Sequence, residues 1–183
     1  AIEKIAVLGG GQMGAGIAQA VASRGIDVVL VKATPGPSDA AKAGILKNLG
    51  RLVEKGKIEQ SDADGTLSRI SFTDDLSLAS DADLLIESII EDIDTKRERF
   101  AEADKTLKPE AVLASNTSTL CIGAMADSTT RPGRFMGLHF FNPATMMKLV
   151  EVIPTNATEA SVTADAIAFV EAIGKTPVMV SDS

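Results

Sequence analysis

Cysteine, large aromatic side chains and positive charge are all scarce in this sequence. Cys121 is the single cysteine among 183 residues, so no internal disulfide can form and nothing points to an oxidising compartment. Trp and Tyr are absent and Phe occurs six times, which leaves few side chains on which nucleic-acid bases could stack. The formal net charge of -7 opposes binding to a phosphate backbone. We therefore expect no nucleic-acid partner.

Long apolar runs and targeting segments are missing as well. No run approaches the roughly 20 apolar residues of a membrane-spanning helix, and the N-terminus lacks the basic and apolar parts of a signal peptide. We expect no membrane partner and a cytoplasmic location, although a protein of an organelle matrix would have the same composition. Because repeats and flexible linkers are also missing, residues 1–183 are predicted to form one dinucleotide-binding domain, for the reasons that follow.

Strand and helix patterns alternate along the chain. The apolar run at 4–8 predicts a strand, and Ile17, Ala18 and Val21 follow it at helical spacing. Residues 28–31 form a second apolar run, typical of a strand buried on both faces. Further strands are expected near 70–72, 84–86, 111–113, 135–138, 148–153 and 177–180, and helices over about 38–55, 92–107 and 157–173. This order predicts an α/β fold with a Rossmann-type, doubly wound and mostly parallel sheet.

A glycine-rich loop joins the first predicted strand to the first helix. In dinucleotide-binding folds the first glycine permits a tight turn, the second lets the backbone approach the pyrophosphate, and the third lets helix and strand pack closely. Gly9, Gly11 and Gly14 have this spacing, with Gln12 and Met13 between the last two. The alternative is that the glycines serve only a turn. A Walker-type phosphate loop is excluded, because no Gly-Lys-Ser/Thr sequence follows.

Lys32 stands at the end of the second predicted strand, where such folds place a carboxylate that binds the ribose hydroxyls. A lysine cannot accept those hydrogen bonds, but it can pair with a 2′-phosphate. One hypothesis is therefore a preference altered or relaxed from NAD toward NADP. The other is that Lys32 is a solvated strand-end residue and that NAD is held by its remaining contacts.

His139, the only histidine, lies just past a predicted strand, at the edge of the sheet where such folds bind ligands. A lone histidine is usually structural or merely exposed, whereas here it could act as a base. Glu151 stands among aliphatic residues on a strand that we expect to be buried, and a carboxylate there needs a partner. If that partner is His139, one imidazole nitrogen stays free to take a hydroxyl proton while a hydride leaves to a nicotinamide.

Hydroxyl and amide side chains accompany this pair. Asn142 follows His139 closely, and the run 115–119 follows another predicted strand. These groups could donate hydrogen bonds to a substrate oxygen or to the nicotinamide amide. Alternatively, the Ser/Thr run, which lies ahead of Leu120 and Ile122, serves as a helix cap. No metal is expected.

Three motifs of the sequence together resemble one family. The glycine loop at 9–14, the stretch 115–120, and His-Phe-Phe-Asn-Pro at 139–143 with Glu151 resemble the L-3-hydroxyacyl-CoA dehydrogenases of fatty acid β-oxidation and their 3-hydroxybutyryl-CoA relatives. The likeness covers essentially the whole chain. His-Phe-Phe-Asn-Pro with its downstream Glu is far more specific than the glycine loop.

The resemblance implies NAD-linked oxidation of L-3-hydroxyacyl-CoA to 3-oxoacyl-CoA, in lipid metabolism or a related short-chain pathway. It implies that His139 is the general base and that Glu151 orients it. It also implies that Ser118 and Asn142 contact the substrate and the nicotinamide end of the cofactor. The acyl-CoA substrate is the partner expected from the family.

The resemblance further implies that Glu91 and Lys96 line the cofactor site and that Lys55 touches coenzyme A. Two features depart from the family. Lys32 replaces the ribose-binding Asp, and the chain ends at Ser183, about where the family begins a C-terminal helical domain. We therefore expect a fragment without that domain, which binds a dinucleotide weakly and turns substrate over poorly, from an enzyme that is a homodimer or part of a multifunctional chain.

Three other functions remain open at this point. The chain could belong to a catalytically impaired dinucleotide-binding module, or to an NADP-preferring 3-hydroxybutyryl-CoA dehydrogenase. It could also act on another β-hydroxy acid, although the stretch 139–143 argues against that.

Overall fold

A computed structural model describes residues 2–182 and contains, within that range, one eight-stranded sheet flanked by helices. The strands are β1 (Lys4–Leu8), β2 (Asp27–Val31), β3 (Ile70–Thr73), β4 (Leu84–Glu87), β5 (Val112–Ser115), β6 (Phe135–Phe140), β7 (Leu149–Pro154) and β8 (Thr176–Met179). The helices are α1 (Gln12–Ala22), α2 (Asp39–Glu54), α3 (Gln60–Ser68), α4 (Ile93–Thr106), α5 (Ile122–Ala126) and α6 (Ala160–Ala172). Two short 3-10 helices lie at Leu76–Ala79 and Pro132–Arg134.

The strands run in the order β3-β2-β1-β4-β5-β6-β7-β8. All neighbours from β3 to β6 pair in parallel, β6 and β7 pair antiparallel, and β7 and β8 are again parallel. The first six strands thus have the order of the doubly wound dinucleotide-binding fold. The predicted Rossmann-type, mostly parallel α/β fold is confirmed.

The central strands are buried because helices cover both faces of the sheet. Ile17 and Val21 of α1, with Ile45 of α2, pack on one face, and Phe100 of α4 and Met125 of α5 pack on the other. Since both faces are covered, β1 and β2 can be almost wholly apolar, which explains why they read as continuous hydrophobic runs. Parallel strands also end together, so the loops after β1, β4, β5 and β6 meet at one edge of the sheet.

Helix α3 was not expected from the sequence, and α5 was considered only as an alternative for the Ser/Thr run at 115–119. The segment that forms α3 is polar and contains Gly65, and it buries only Ala63 and Thr66, so it lacks a strong helical pattern. Its N-terminus is instead held by a capping box between Glu59 and Asp62. Helix α5 spans five residues, too few for a periodic pattern to be read.

Candidate active site

The loops at the carboxyl ends of β1, β4, β5 and β6 surround a cavity of about 470 Å³. Eight residues singled out from the sequence line it: Gly11, Gln12, Met13, Glu91, Lys96, Ser118, His139 and Asn142. Of the other lining residues, Asn116, Phe140 and Phe141 lie in the stretches 115–120 and 139–143 named from the sequence, whereas Ser88 and Ile89 were not singled out there. Segments more than a hundred residues apart in the sequence thus meet in one place.

The glycine loop is shaped to let another molecule approach the start of α1. Gly9 has a φ of +123°, and a Cβ there would lie 2.8 Å from the carbonyl carbon of Ser88, so a side chain does not fit. Gly11, by contrast, has no atom within 4 Å of where a Cβ would be, and it is the N-cap of α1, with no side chain capping the helix. The first N–H groups of α1 therefore face open space, where the pyrophosphate of a dinucleotide fits.

His139 and Glu151 form a hydrogen-bonded pair set by strand register. They are direct partners across the antiparallel β6–β7 ladder, and Nδ1 of His139 lies 2.8 Å from Oε1 of Glu151. Their side chains are 16% and 28% exposed, so both remain accessible from the cavity side. Because Nδ1 faces the carboxylate, Nε2 is the nitrogen that remains for a substrate.

Two sequence expectations about this pair were wrong in detail. His139 lies inside β6, as its next-to-last residue, rather than just past a strand. Glu151 is only half-buried, although Val150 and Val152 on either side of it are fully buried. The strand alternates, so Val150 and Val152 face the core while Glu151 faces the other side, toward His139.

The loop after β5 carries one residue that shapes the turn and another that is free to bind. Thr117 Oγ1 accepts hydrogen bonds from the N–H groups of Leu120 (3.0 Å) and Thr119 (3.3 Å), so Thr117 holds a turn ahead of α5 and does not cap that helix, whose N-cap is Cys121. Ser118 is exposed, and within residues 2–182 its hydroxyl makes no hydrogen bond. Asn116 Oδ1 accepts from the N–H of Phe140 at 2.6 Å, which fixes this loop to β6.

The start of α5 is held from far along the chain. Its N-cap residue, Cys121, provides no side-chain cap, but the carboxylate of Asp182 accepts hydrogen bonds from the N–H groups of Ile122 (3.0 Å) and Gly123 (2.9 Å). Sequence reasoning missed this contact, because no local pattern connects positions 60 residues apart.

A buried ion pair lies behind the part of the cavity lining that Glu91 and Lys96 form. Lys96 Nζ lies 2.5 Å from Glu87 Oε2 and 3.8 Å from Glu91 Oε1. Glu91 in turn accepts a hydrogen bond from Thr117 Oγ1 at 2.7 Å, which joins this wall to the Ser118 loop. Glu87 was missed in the sequence, although it too is a single Glu next to the aliphatic residues of a strand, which was the signal that picked out Glu151.

Lys32 and Lys55 lie outside this cavity. The Lys32 backbone N–H donates to Thr73 O at 2.7 Å, and its side chain borders a separate pocket of about 80 Å³ with Gly10 and Ser38. Its ammonium lies beside Gly36, 3.6 Å from where a Cβ of that residue would be, and has no ion-pair partner among residues 2–182. Lys55 is exposed directly after the last residue of α2.

Neither a metal site nor a membrane span is found in the part of the chain that the structure describes. Within residues 2–182, no three His, Cys, Asp or Glu side chains are grouped so that they could hold a metal ion. No helix in that range is both long and apolar enough to cross a bilayer.

Comparison with known proteins gives consistent results. The profile of the family described as "3-hydroxyacyl-CoA dehydrogenase, NAD binding domain" matches residues 4–183. A probable 3-hydroxybutyryl-CoA dehydrogenase of Deinococcus radiodurans is 43% identical over 98% of this chain, and the mitochondrial hydroxyacyl-coenzyme A dehydrogenase of Rattus norvegicus is 43% identical over all of it. The crystal structure of (S)-3-hydroxybutyryl-CoA dehydrogenase from Ralstonia eutropha covers the whole chain with a TM-score of 0.97 at 34% identity.

The chain spans less than two thirds of each of these proteins. It covers 64% of the Deinococcus protein, 60% of the rat protein and 65% of the Ralstonia chain. The glycine loop, the His139–Glu151 pair and the fold all lie in the shared part. On this basis the chain belongs to the family of 3-hydroxyacyl-CoA dehydrogenase NAD-binding domains.

Proposed function

We propose that the intact protein oxidises an L-3-hydroxyacyl-CoA to the 3-oxoacyl-CoA with NAD, and that His139 is the general base. The observation that carries this proposal is the hydrogen-bonded His139–Glu151 pair at the edge of the cavity. The names of the relatives support the substrate class. The same proposal places the intact enzyme in lipid metabolism, in the cytoplasm or in an organelle matrix.

In this proposal each side chain has a separate task. The Glu151 carboxylate accepts the Nδ1–H of His139, which fixes the tautomer and leaves Nε2 to take the proton of the substrate hydroxyl. The same carboxylate then stabilises the imidazolium that forms. Ser118 and Asn142, both exposed on the cavity wall, donate hydrogen bonds to the substrate oxygen and the nicotinamide end. When bound, NAD supplies the acceptor for the hydride that leaves the substrate carbon bearing the hydroxyl group.

The cofactor would extend from the glycine loop to the Glu91–Lys96 wall. Gly11, Gln12 and Met13 line the cavity at the start of α1, where unpaired N–H groups favour an anion. Glu91 and Lys96 line the other side of the same cavity and offer a carboxylate and an ammonium to ribose hydroxyls. Lys55 remains a candidate for binding coenzyme A outside the cavity, on its exposed position after α2.

The test is substitution of the pair in the intact protein. His139→Gln should lower kcat roughly 1,000-fold, because a positioned base contributes about 10²- to 10⁴-fold to proton transfer. Glu151→Gln should also lower kcat while leaving NADH affinity nearly unchanged, since it removes the carboxylate charge that stabilises the imidazolium. Glu171→Gln, the same change at an exposed position of α6, is the matched control and should have no effect.

Two results would contradict the proposal. Full turnover in the His139→Gln variant would remove His139 from the mechanism. No turnover of any 3-hydroxyacyl-CoA by the unaltered protein would instead favour a dinucleotide-binding module without catalysis.

We further propose that the site accepts NADP as well as NAD, because of Lys32. Its ammonium has no partner within residues 2–182 and borders a small pocket beside the glycine loop. Ser38, the N-cap of α2, lines the same pocket and makes no side-chain cap hydrogen bond, so its hydroxyl is also available to a phosphate. Both groups complement a 2′-phosphate better than a pair of ribose hydroxyls.

Measured dissociation constants for NADPH and NADH test this second proposal. Lys32→Asp should shift their ratio toward NADH by about tenfold or more, the equivalent of one charge-assisted hydrogen bond. Lys47→Asp makes the same charge change at an exposed position of α2 and should leave the ratio unchanged. The NADP proposal would be contradicted if the unaltered protein strongly prefers NADH and Lys32→Asp does not increase that preference.

A further inference from the structure

Glu87 is a fully buried carboxylate that the proposed reaction does not use. It is the last residue of β4, it is 0% exposed, and it lies directly opposite Ser115, the last residue of β5. An ionised carboxylate in such a place is costly unless every oxygen has a partner. Its presence at the edge of the sheet that carries the site therefore calls for a physical reason.

Both oxygens of Glu87 are satisfied, each by a different element. Oε1 accepts the hydroxyl of Ser115 at 2.6 Å, and Oε2 accepts the N–H of Ile89 at 2.7 Å. Oε2 also receives Lys96 Nζ at 2.5 Å. Glu87 thus joins β5, the loop after β4 and helix α4 at a single point.

Lys96 is the charged member of this group that reaches the cavity. It lies in the first turns of α4, its side chain is 1% exposed, and it still lines the cavity wall. Its other contacts are longer, at 3.5 Å to Ile89 O and 3.8 Å to Glu91 Oε1. Because Glu91 is 44% exposed and is itself bonded to Thr117, it cannot hold the ammonium as closely as Glu87 does.

We infer that Glu87 is a positioning residue for dinucleotide binding: it holds the Lys96 ammonium at the cavity wall. Lys96 so placed can donate to a hydroxyl or phosphate oxygen of the dinucleotide. Without Glu87, the ammonium would lose its 2.5 Å contact and would no longer be fixed in one position relative to the ligand. The inference rests on the proposed function only in taking the cavity to be the dinucleotide site.

NADH titration of the intact protein, followed by fluorescence, tests this inference. Glu87→Gln keeps the size of the side chain but removes its charge, and it should raise the dissociation constant of NADH about tenfold, the loss of one hydrogen bond to a charged group. With NAD saturating, kcat should change far less than the KM for NAD. Glu98→Gln, the same change at an exposed position of α4, should change neither.

A double variant separates positioning from a general effect on the fold. Lys96→Met should weaken NADH binding by itself, and Glu87→Gln added to it should weaken binding no further, since the group that Glu87 positions is already gone. The double variant should also regain melting temperature relative to Glu87→Gln alone, because it leaves no unpaired buried charge. We therefore expect the double variant to regain stability relative to Glu87→Gln but not to regain NADH affinity. If Glu87 only stabilised the fold, affinity would recover together with stability.

The outcomes distinguish this inference from the proposed reaction. If the two substitutions multiply their effects on NADH affinity, or if Glu87→Gln leaves affinity unchanged, the inference is wrong and the reaction stands. If the unaltered protein binds NADH, shows the double-variant pattern and oxidises no 3-hydroxyacyl-CoA, the reaction is wrong and the inference stands.

Discussion

Gly14 packs against the carbonyl group of Gly9 with no room between them. A Cβ on Gly14 would lie 2.9 Å from the Gly9 carbonyl carbon and closer still to its oxygen. Gly14 is also buried, in the first turn of α1, so the backbone segments at Gly9 and Gly14 cannot easily move apart. Its role is therefore steric, and it differs from that of Gly11, which leaves space for a ligand.

Substitution of Gly14 should separate these two roles. Gly14→Ala should destabilise the protein by about 1–3 kcal/mol, the usual cost of forcing an extra methyl group into a packed site, and should weaken NADH binding by displacing α1. Gly50→Ala is the matched control, because Gly50 is exposed within α2 and has no atom within 4 Å of a Cβ. It should stabilise the protein by up to about 1 kcal/mol. Urea unfolding measures both, and a Gly14→Ala variant as stable as the parent would contradict the steric argument.

At the scale of elements, one arginine connects the end of α4 to the strand that carries His139. The Arg131 guanidinium donates hydrogen bonds to four backbone carbonyls, those of Asp104, Leu107, Lys108 and Ala111. It also forms an ion pair with the Asp104 carboxylate at 2.7 Å, with only 9% and 6% of the two side chains exposed. Because β6 begins shortly after Arg131, this cluster fixes where that strand starts.

Asp104 makes this cluster sensitive to acid. Burial opposes ionisation of its carboxyl group, but hydrogen bonds from Thr130 and Arg131 outweigh burial and hold the pKa below its ordinary value of 3.8. The unfolded chain therefore binds the proton more tightly than the folded one. The stabilisation is fully present above pH 3.8 and is lost as the pH falls from there through the lower folded pKa.

Asp104→Asn should remove this contribution. Near neutral pH it should lower the free energy of unfolding by about 3 kcal/mol, since it leaves a buried guanidinium without its counterion. It should also flatten the fall in stability below about pH 4, where the parent loses this contribution. Asp127→Asn, an exposed change with no side-chain hydrogen bond among residues 2–182, is the control. Equal acid slopes for parent and Asp104→Asn would contradict the assignment.

At the scale of the whole molecule, the sequence predicts the fold better than it predicts the contacts within the site. Apolar runs such as 28–31 and the glycine spacing at 9–14 are local signals, and they suffice for a parallel α/β sheet. The antiparallel direction of β7 has no such signal, because it depends on how the loop at 141–148 turns back.

The same limit applies to the site residues. His139 and Glu151 could be paired in advance because each is chemically conspicuous in an apolar strand. Glu87 and Asp182 could not, since their partners lie in other elements and only the tertiary structure brings them together. The roles proposed for Ser118 and the other cavity residues come from the family resemblance.

The His139–Glu151 pair is held by a ladder and not by the loop that connects its strands. Buried neighbours on both sides, Leu138 opposite Val152 and Phe140 opposite Val150, fix the register of β6 against β7. Beyond Phe141, whose ring centroid lies 4.6 Å from that of the His139 ring, the connecting segment can therefore change in composition without removing this ladder. Such a scaffold is suited to divergence, because new substrate contacts can be acquired in the loop while the proton-transfer geometry is inherited unchanged.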